Sequence, residues 1–139
     1  MNEARARDWL LAKPAAHEDF PFGPEVRVYK VRSRMFATLG RLPFAGSLVL
    51  GMNLKCDPQQ ALGLRELFPA VVPGYHMNKR HWNSVILDGS IPEAELRWMI
   101  DHSYALVVKA MPRAVRSSLE VAYGRQALYA DTSPRNIGL

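Results

Sequence analysis

Apolar residues over the first dozen positions recur between charges: Ala4, Trp9, Leu10, Leu11 and Ala12 are interleaved with Glu3, Arg5, Arg7 and Asp8. This spacing predicts an amphipathic helix over residues 3–12 that Pro14 stops, because proline has no amide to give. Phe20-Pro21-Phe22-Gly23-Pro24 is loop chemistry. The pattern then becomes β-branched and partly alternating. It predicts strands over residues 26–31 and 34–39 with Arg32-Ser33 as the hairpin tip, a turn region over 40–46, and a third strand over 47–55.

Asp57-Pro58-Gln59-Gln60 has the form of a helix start, with Asp57 as cap and Gln60 able to complete a capping box. That helix is expected to run to Phe68, before Pro69. Val71-Val72 predicts a short strand, Asn78 a cap for a turn over 79–82, and residues 83–87 another strand. Ser90-Ile91-Pro92-Glu93 has the spacing of a second capping box. Behind it Leu96, Ile100, Ser103, Val107 and Met111 form one helical stripe, flanked by Met99, Tyr104 and Val108. Pro112 interrupts this helix, and a last one carries Val115, Leu119 and Ala122. Residues 1–128 are expected as a single domain and residues 129–139 as a frayed tail.

The order α-βββ-α-ββ-αα has hairpin connections and no regular βαβ alternation. It predicts an α+β fold: an antiparallel sheet of about five strands with helices packed on one face.

Charge changes the picture more than composition does. The chain has 139 residues and a formal charge of +5. No acid occurs between Glu25 and Asp57, a gap that holds Arg27, Lys30, Arg32, Arg34, Arg41 and Lys55. A second acid-free gap, from Glu66 to Asp88, holds Lys79, Arg80, His76 and His81. Clustered cations of this kind attract phosphates and release their counterions. The single cysteine, Cys56, excludes an intrachain disulfide framework and suits a reducing cytoplasm. No apolar run approaches the roughly 20 residues of a membrane helix, so no membrane association is expected.

Gly74 to Val85 concentrates the candidate chemistry: two histidines, two aromatics, two asparagines and two cations, with no acid. His76 and His81, five residues apart, would lie about 140° apart around a helix, and no third ligand has zinc-like spacing, so no metal site is expected. Ser84 and Cys56 are conceivable nucleophiles, but neither sits in an elbow or Cys-His frame. Gly-rich phosphate loops are absent. The expectation is a non-enzyme with no catalytic residues and no cofactor.

The stretch Pro73-Gly74-Tyr75-His76-Met77-Asn78-Lys79-Arg80-His81-Trp82-Asn83-Ser84-Val85 resembles the MmcQ/YjbR family. So do Lys13-Pro14, Val28-Tyr29-Lys30-Val31 before Met35-Phe36-Ala37, Leu54-Lys55-Cys56-Asp57-Pro58, Asp101, Ser103-Tyr104 and Leu106-Val107-Val108. The resemblance covers most of residues 10–120. It implies a two-layer α+β sandwich like those of frataxin and secretion chaperones, and a "double-wing" DNA-binding role. It supplies no catalytic group, metal centre or cofactor. This chain departs from the pattern at Arg32-Ser33-Arg34, where glycine-rich turns are common.

The leading expectation is therefore a cytoplasmic DNA-binding protein that contacts phosphates through Lys30, Arg32, Arg34, Lys79 and Arg80. Its sequence specificity should be low, because no helix carries Arg, Asn and Gln at a reading spacing. Tyr75, His76, Asn78, His81 and Trp82 form the stacking or ligand-pocket set. Two alternatives come from other classes. One is a chaperone-like protein-interaction module using exposed Phe22, Leu42 and Phe44. The other is a binder of a small anionic ligand near His76 and Trp82.

Overall fold

The computed structural model describes residues 1–130. Six strands form one antiparallel sheet, against the five expected: β1 (Ala16–Asp19), β2 (Arg27–Val31), β3 (Arg34–Phe44), β4 (Ser47–Lys55), β5 (Val71–Pro73) and β6 (Trp82–Ile86), in the spatial order β1-β2-β3-β4-β6-β5. The helices are α1 (Glu3–Leu11), α2 (Pro58–Leu67), α3 (Glu93–Lys109), α4 (Arg113–Tyr123) and α5 (Arg125–Tyr129). The sheet is open, and the helices cover one face.

The strand that the sequence hides is β1. Its residues, Ala-His-Glu-Asp, show no apolar alternation. Side-chain bonds hold it at the sheet edge instead. Glu18 accepts from Arg7 Nε of α1 (2.8 Å), from Tyr29 Oη (2.8 Å) and, more loosely, from Arg27 (3.3 Å). Burial alone would raise the Glu18 pKa, but the bonds from Arg7 and Tyr29 outweigh it and hold this carboxyl below the usual range.

The turn region expected over residues 40–46 is mostly strand. β3 and β4 run on together until Phe44 pairs with Ser47, and only Ala45-Gly46 turns. Both turn residues have positive φ (51° and 82°), which matches the twist of a two-residue hairpin. Pairing of β2 with β3 ends at Leu39, so Pro43 lies on a stretch with one open edge, where a missing amide is tolerated.

Along β3 and β4, alternate positions face opposite ways. Leu39, Met52, Leu54 and Val85 join the core under α3, whose Leu96, Met99, Ile100, Tyr104, Val107 and Val108 are all buried. A register shift between Tyr29 and Lys30 leaves Phe36 as an extra residue in β3. Phe36 packs edge-on against Tyr104, with ring centroids 5.2 Å apart. Ser103 Oγ donates to the Phe36 carbonyl (2.6 Å) and accepts from the Lys55 amide (2.9 Å), tying α3 to two strands. The buried surface of α3 exceeds one stripe because α5 brings Leu128 and Tyr129 into the same core.

Asp57 caps α2 as expected, accepting from the amides of Gln59 and Gln60. Ser90 does not cap α3. Its hydroxyl and amide both turn to Asp88, and Pro92 occupies the cap position with no side-chain bond. The nearer carboxylate has won Ser90 from the helix end. Of the expected tail, Tyr129 closes α5, and residues 131–139 lie outside the described residues. Among the described residues no helix is long and apolar enough to cross a membrane.

Candidate functional site

The motif-rich residues 74–81 form the connection between β5 and β6, and much of their polar chemistry is spent on the loop itself. Asn78 Oδ1 accepts the amides of Arg80 (3.0 Å) and His81 (3.1 Å), so it caps the turn as its type predicts. Lys79 Nζ donates back to the Gly74 carbonyl at 2.8 Å. Ser84 Oγ accepts the Tyr75 amide (2.9 Å) and donates to Asn53 Oδ1 (2.5 Å), pinning the loop onto the helix-free face of the sheet. Gly74 is required by space. A Cβ there would lie 2.8 Å from Trp82 Cβ and 2.9 Å from the Trp82 carbonyl oxygen.

Arg65 of α2 is a residue that sequence reasoning missed. Its Nε donates to buried Asn83 Oδ1 at 2.7 Å, and its Nη2 reaches the carbonyls of Lys79 and Trp82. One guanidinium fork thus fixes both the loop and the strand after it. Arg65 occupies an ordinary helical position, so only the tertiary arrangement reveals its role.

The strand register brings the two acid-free segments to one end of the sheet. The β2–β3 tip precedes Arg34. Further along, Ala37 pairs with Leu54, Leu54 with Asn83, and Lys55 with Trp82. The tip and the β5–β6 loop therefore leave the same edge of the strands. β3 and β6 are two strand spacings apart, roughly 10 Å. Arg32, Arg34, Lys79, Arg80 and His81 are all exposed there.

The five cations predicted for phosphate contact are not equivalent. Lys30 is bound to Asp19 of β1, with Nζ to Oδ2 at 2.8 Å. Lys79 holds Gly74, and Arg34 makes a long bond of 3.4 Å to the Ala110 carbonyl. Arg32 and Arg80 make no side-chain hydrogen bond or ion pair among the described residues.

Of the stacking or pocket set, Tyr75 and His76 stand together, their ring centroids 4.0 Å apart, beside a cavity of about 430 Å³ on the helix-free face. Asn78 serves the turn. Trp82 lies in β6 opposite Lys55, and its carbonyl accepts the Gly74 amide, so it anchors the loop outside this cavity. His81 is exposed, and its carbonyl accepts the Cys56 amide at 2.8 Å. Of the apolar residues read as an exposed peptide-binding set, Leu42 is buried against the sheet and Phe44 half-buried; Phe22 alone is open, at 68%.

Neither conceivable nucleophile is poised. Burial, with Asp57 beside it, pushes the Cys56 thiol up to about 12, and Ser84 is committed to Asn53 and Tyr75. Among the described residues no three His, Cys, Asp or Glu side chains gather as a metal-holding group.

An open antiparallel sheet, helices over one face, and a loop pinned by Asn53 and Ser84 place the chain in a definite structural class. The YjbR family model matches residues 11–106, and the chain belongs to that family. It is 39% identical to YbdF of Escherichia coli over 111 residues, 78% of this chain and 85% of that one. It is 31% identical to Escherichia coli YjbR over 119 residues, 86% of this chain and 98% of that one. A crystal structure of a Deinococcus radiodurans protein superposes with a TM-score of 0.73 at 36% identity, covering 84% of this chain and 86% of that one.

Proposed function

We propose that this chain is a non-enzymatic, cytoplasmic DNA-binding protein that holds the sugar-phosphate backbone at the sheet end from which the β2–β3 tip and the β5–β6 loop both project. The observation that carries the reading is the register that places Arg32, Arg34, Lys79 and Arg80 at one edge, with Arg32 and Arg80 uncommitted. Tyr75, 41% exposed, is available to stack on an unpaired base. Phosphate contact without a reading helix implies low sequence specificity. The lone thiol, buried and free, suits a reducing compartment.

Fluorescence anisotropy with duplex and single-stranded DNA across a salt series tests this reading. Arg32→Ala and Arg80→Ala should each weaken binding on every sequence and lower the salt slope by about one. Duplex affinity at low salt that is unchanged in the double variant would end the proposal.

A further inference from the structure

The cavity on the helix-free face is a second site with a chemistry of its own. Phe22 and Val26 from the β1–β2 loop form one wall, and Tyr75, His76 and Met77 from the β5–β6 loop form the other. Met35 and Leu42 complete an apolar lining. About 430 Å³ lies within the range of small-molecule sites. Phe22 is held out at 68% exposure, an apolar ring that an occupant would cover.

Its floor carries two buried polar side chains, Thr38 at 4% and Asn53 at 5% exposure. Thr38 Oγ1 accepts the Asn53 amide, and no acceptor takes its proton among the described hydrogen bonds. Asn53 Oδ1 is filled by Ser84, while its Nδ2 makes one long bond of 3.4 Å to the Tyr75 carbonyl and keeps a second hydrogen. The floor therefore offers two unspent donor hydrogens, while each of its side-chain acceptors already holds one donor. No carboxylate lines the cavity, and Arg41 and His76 border it. His76 has φ of 56°, a left-handed conformation that histidine adopts more readily than most non-glycine residues and that turns the loop at the cavity rim.

We infer that this cavity binds a small amphipathic monocarboxylate, its apolar body between Phe22, Val26, Met35 and Met77 and its carboxylate on Thr38 and Asn53. The apolar walls with adaptable methionines fit a hydrocarbon or aromatic body. The unspent donors and the absence of acids select an anionic acceptor head. The site shares Tyr75 and the β5–β6 loop with the proposed DNA surface, but its floor on Thr38 and Asn53 uses none of those cations, and it stands whether or not DNA binds.

Amide and methionine-methyl NMR titrations test it, with decanoate and 1-naphthoate as probes and decanol as the uncharged control. Saturable shifts at Thr38, Asn53, Tyr75, Met35 and Met77 are expected with at least one acid at submillimolar concentration, and decanol should bind about tenfold more weakly. Thr38→Val should lose about tenfold in acid affinity and Thr38→Ser should keep it. Val26→Trp, which fills the mouth, should abolish the shifts without touching the floor. Decanol binding as well as decanoate, Thr38→Val binding as well as the parent chain, or no saturable shift with either acid would each overturn the proposal.

Discussion

Lys30 of β2 is bound across the sheet edge to Asp19 of β1, Nζ to Oδ2 at 2.8 Å. The bond sorts one strand cation away from the exposed group at the sheet end. It also draws the Asp19 carboxyl below its usual range, through the Lys30 hydrogen bond first and the Phe20 amide second. Asp19→Asn removes the anion and leaves the cation. If backbone phosphates bind near this hairpin, the variant should bind duplex DNA more tightly and show a salt slope steeper by about one. Anisotropy across a salt series measures both, and an unchanged slope would place Lys30 outside the contact surface.

The hairpin tip itself is strained. Arg32 and Ser33 have φ of 52° and 73°, so both central residues of a two-residue turn are left-handed without a glycine. Such a conformation costs a non-glycine residue about 1–2 kcal/mol. Ser33→Gly should therefore raise stability by about 1 kcal/mol while keeping Arg32 in place. Urea unfolding reads the gain, and DNA affinity should not change with it. A loss of stability would mean that the serine side chain supports the turn.

Much of this fold was legible from periodicity. Leu96, Ile100, Ser103 and Val107 of the expected stripe are buried on α3, with Met111 just past its end, and Asp57 and Asn78 cap what their residue types predict. The misses share a physical cause. Ala16–Asp19 has no strand pattern because ion pairs, not apolar burial, fix it. Residues 40–46 read as a turn because glycine and proline mark both turns and open-edged strands, and only pairing with β4 separates the two. The Ser90 spacing was right for a cap, but Asp88 two residues earlier competed for the same hydroxyl. In the site, the five cations fall on two acid-free segments, but their partners were not readable from the sequence. Asp19 and the Gly74 carbonyl become neighbours only through the register and the loop. Of the cavity, Tyr75 and His76 were named as pocket residues, while Thr38 and Asn53 were missed because only the pairing of β3 with β4 brings them together.

His102 gives the stability of this domain a pH dependence. It is buried and stacked on Trp98, its Nε2 accepts the Asp57 amide at 3.2 Å, and its Nδ1 has no hydrogen-bond partner. Burial lowers its pKa below the ordinary 6.5, opposed by Asp57 and aided by Lys109. A depressed folded-state pKa means that the unfolded chain binds the proton more readily. The stabilisation is present above the ordinary value and is lost as pH falls through the folded-state value. Protonation also removes the Nε2 acceptor from the Asp57 amide, next to the α2 cap. Urea midpoints should therefore fall as pH drops below about 6.5, and His102→Gln should flatten that fall. Equal pH dependence in the variant and the parent chain would assign the effect to other groups.

Arg65 predicts the sharpest distinction between a cation that binds and a cation that builds. Its guanidinium joins Asn83 Oδ1 to the carbonyls of Lys79 and Trp82, so the exposed loop cations depend on it for their position. Arg65→Met keeps much of the apolar stem but leaves the side-chain oxygen of buried Asn83 without its Arg65 donor. An orphaned buried acceptor costs about 1–3 kcal/mol. Arg65→Lys should recover only part of this, because one ammonium cannot reproduce a planar fork serving three acceptors. Unfolding measurements should rank the parent chain above Arg65→Lys and Arg65→Met lowest. Arg80→Ala should leave stability within about 0.5 kcal/mol of the parent, since its side chain holds nothing in place. If Arg80→Ala and Arg65→Met destabilise equally, the loop is held by interactions other than the Arg65 fork, and the order of the sheet end rests elsewhere.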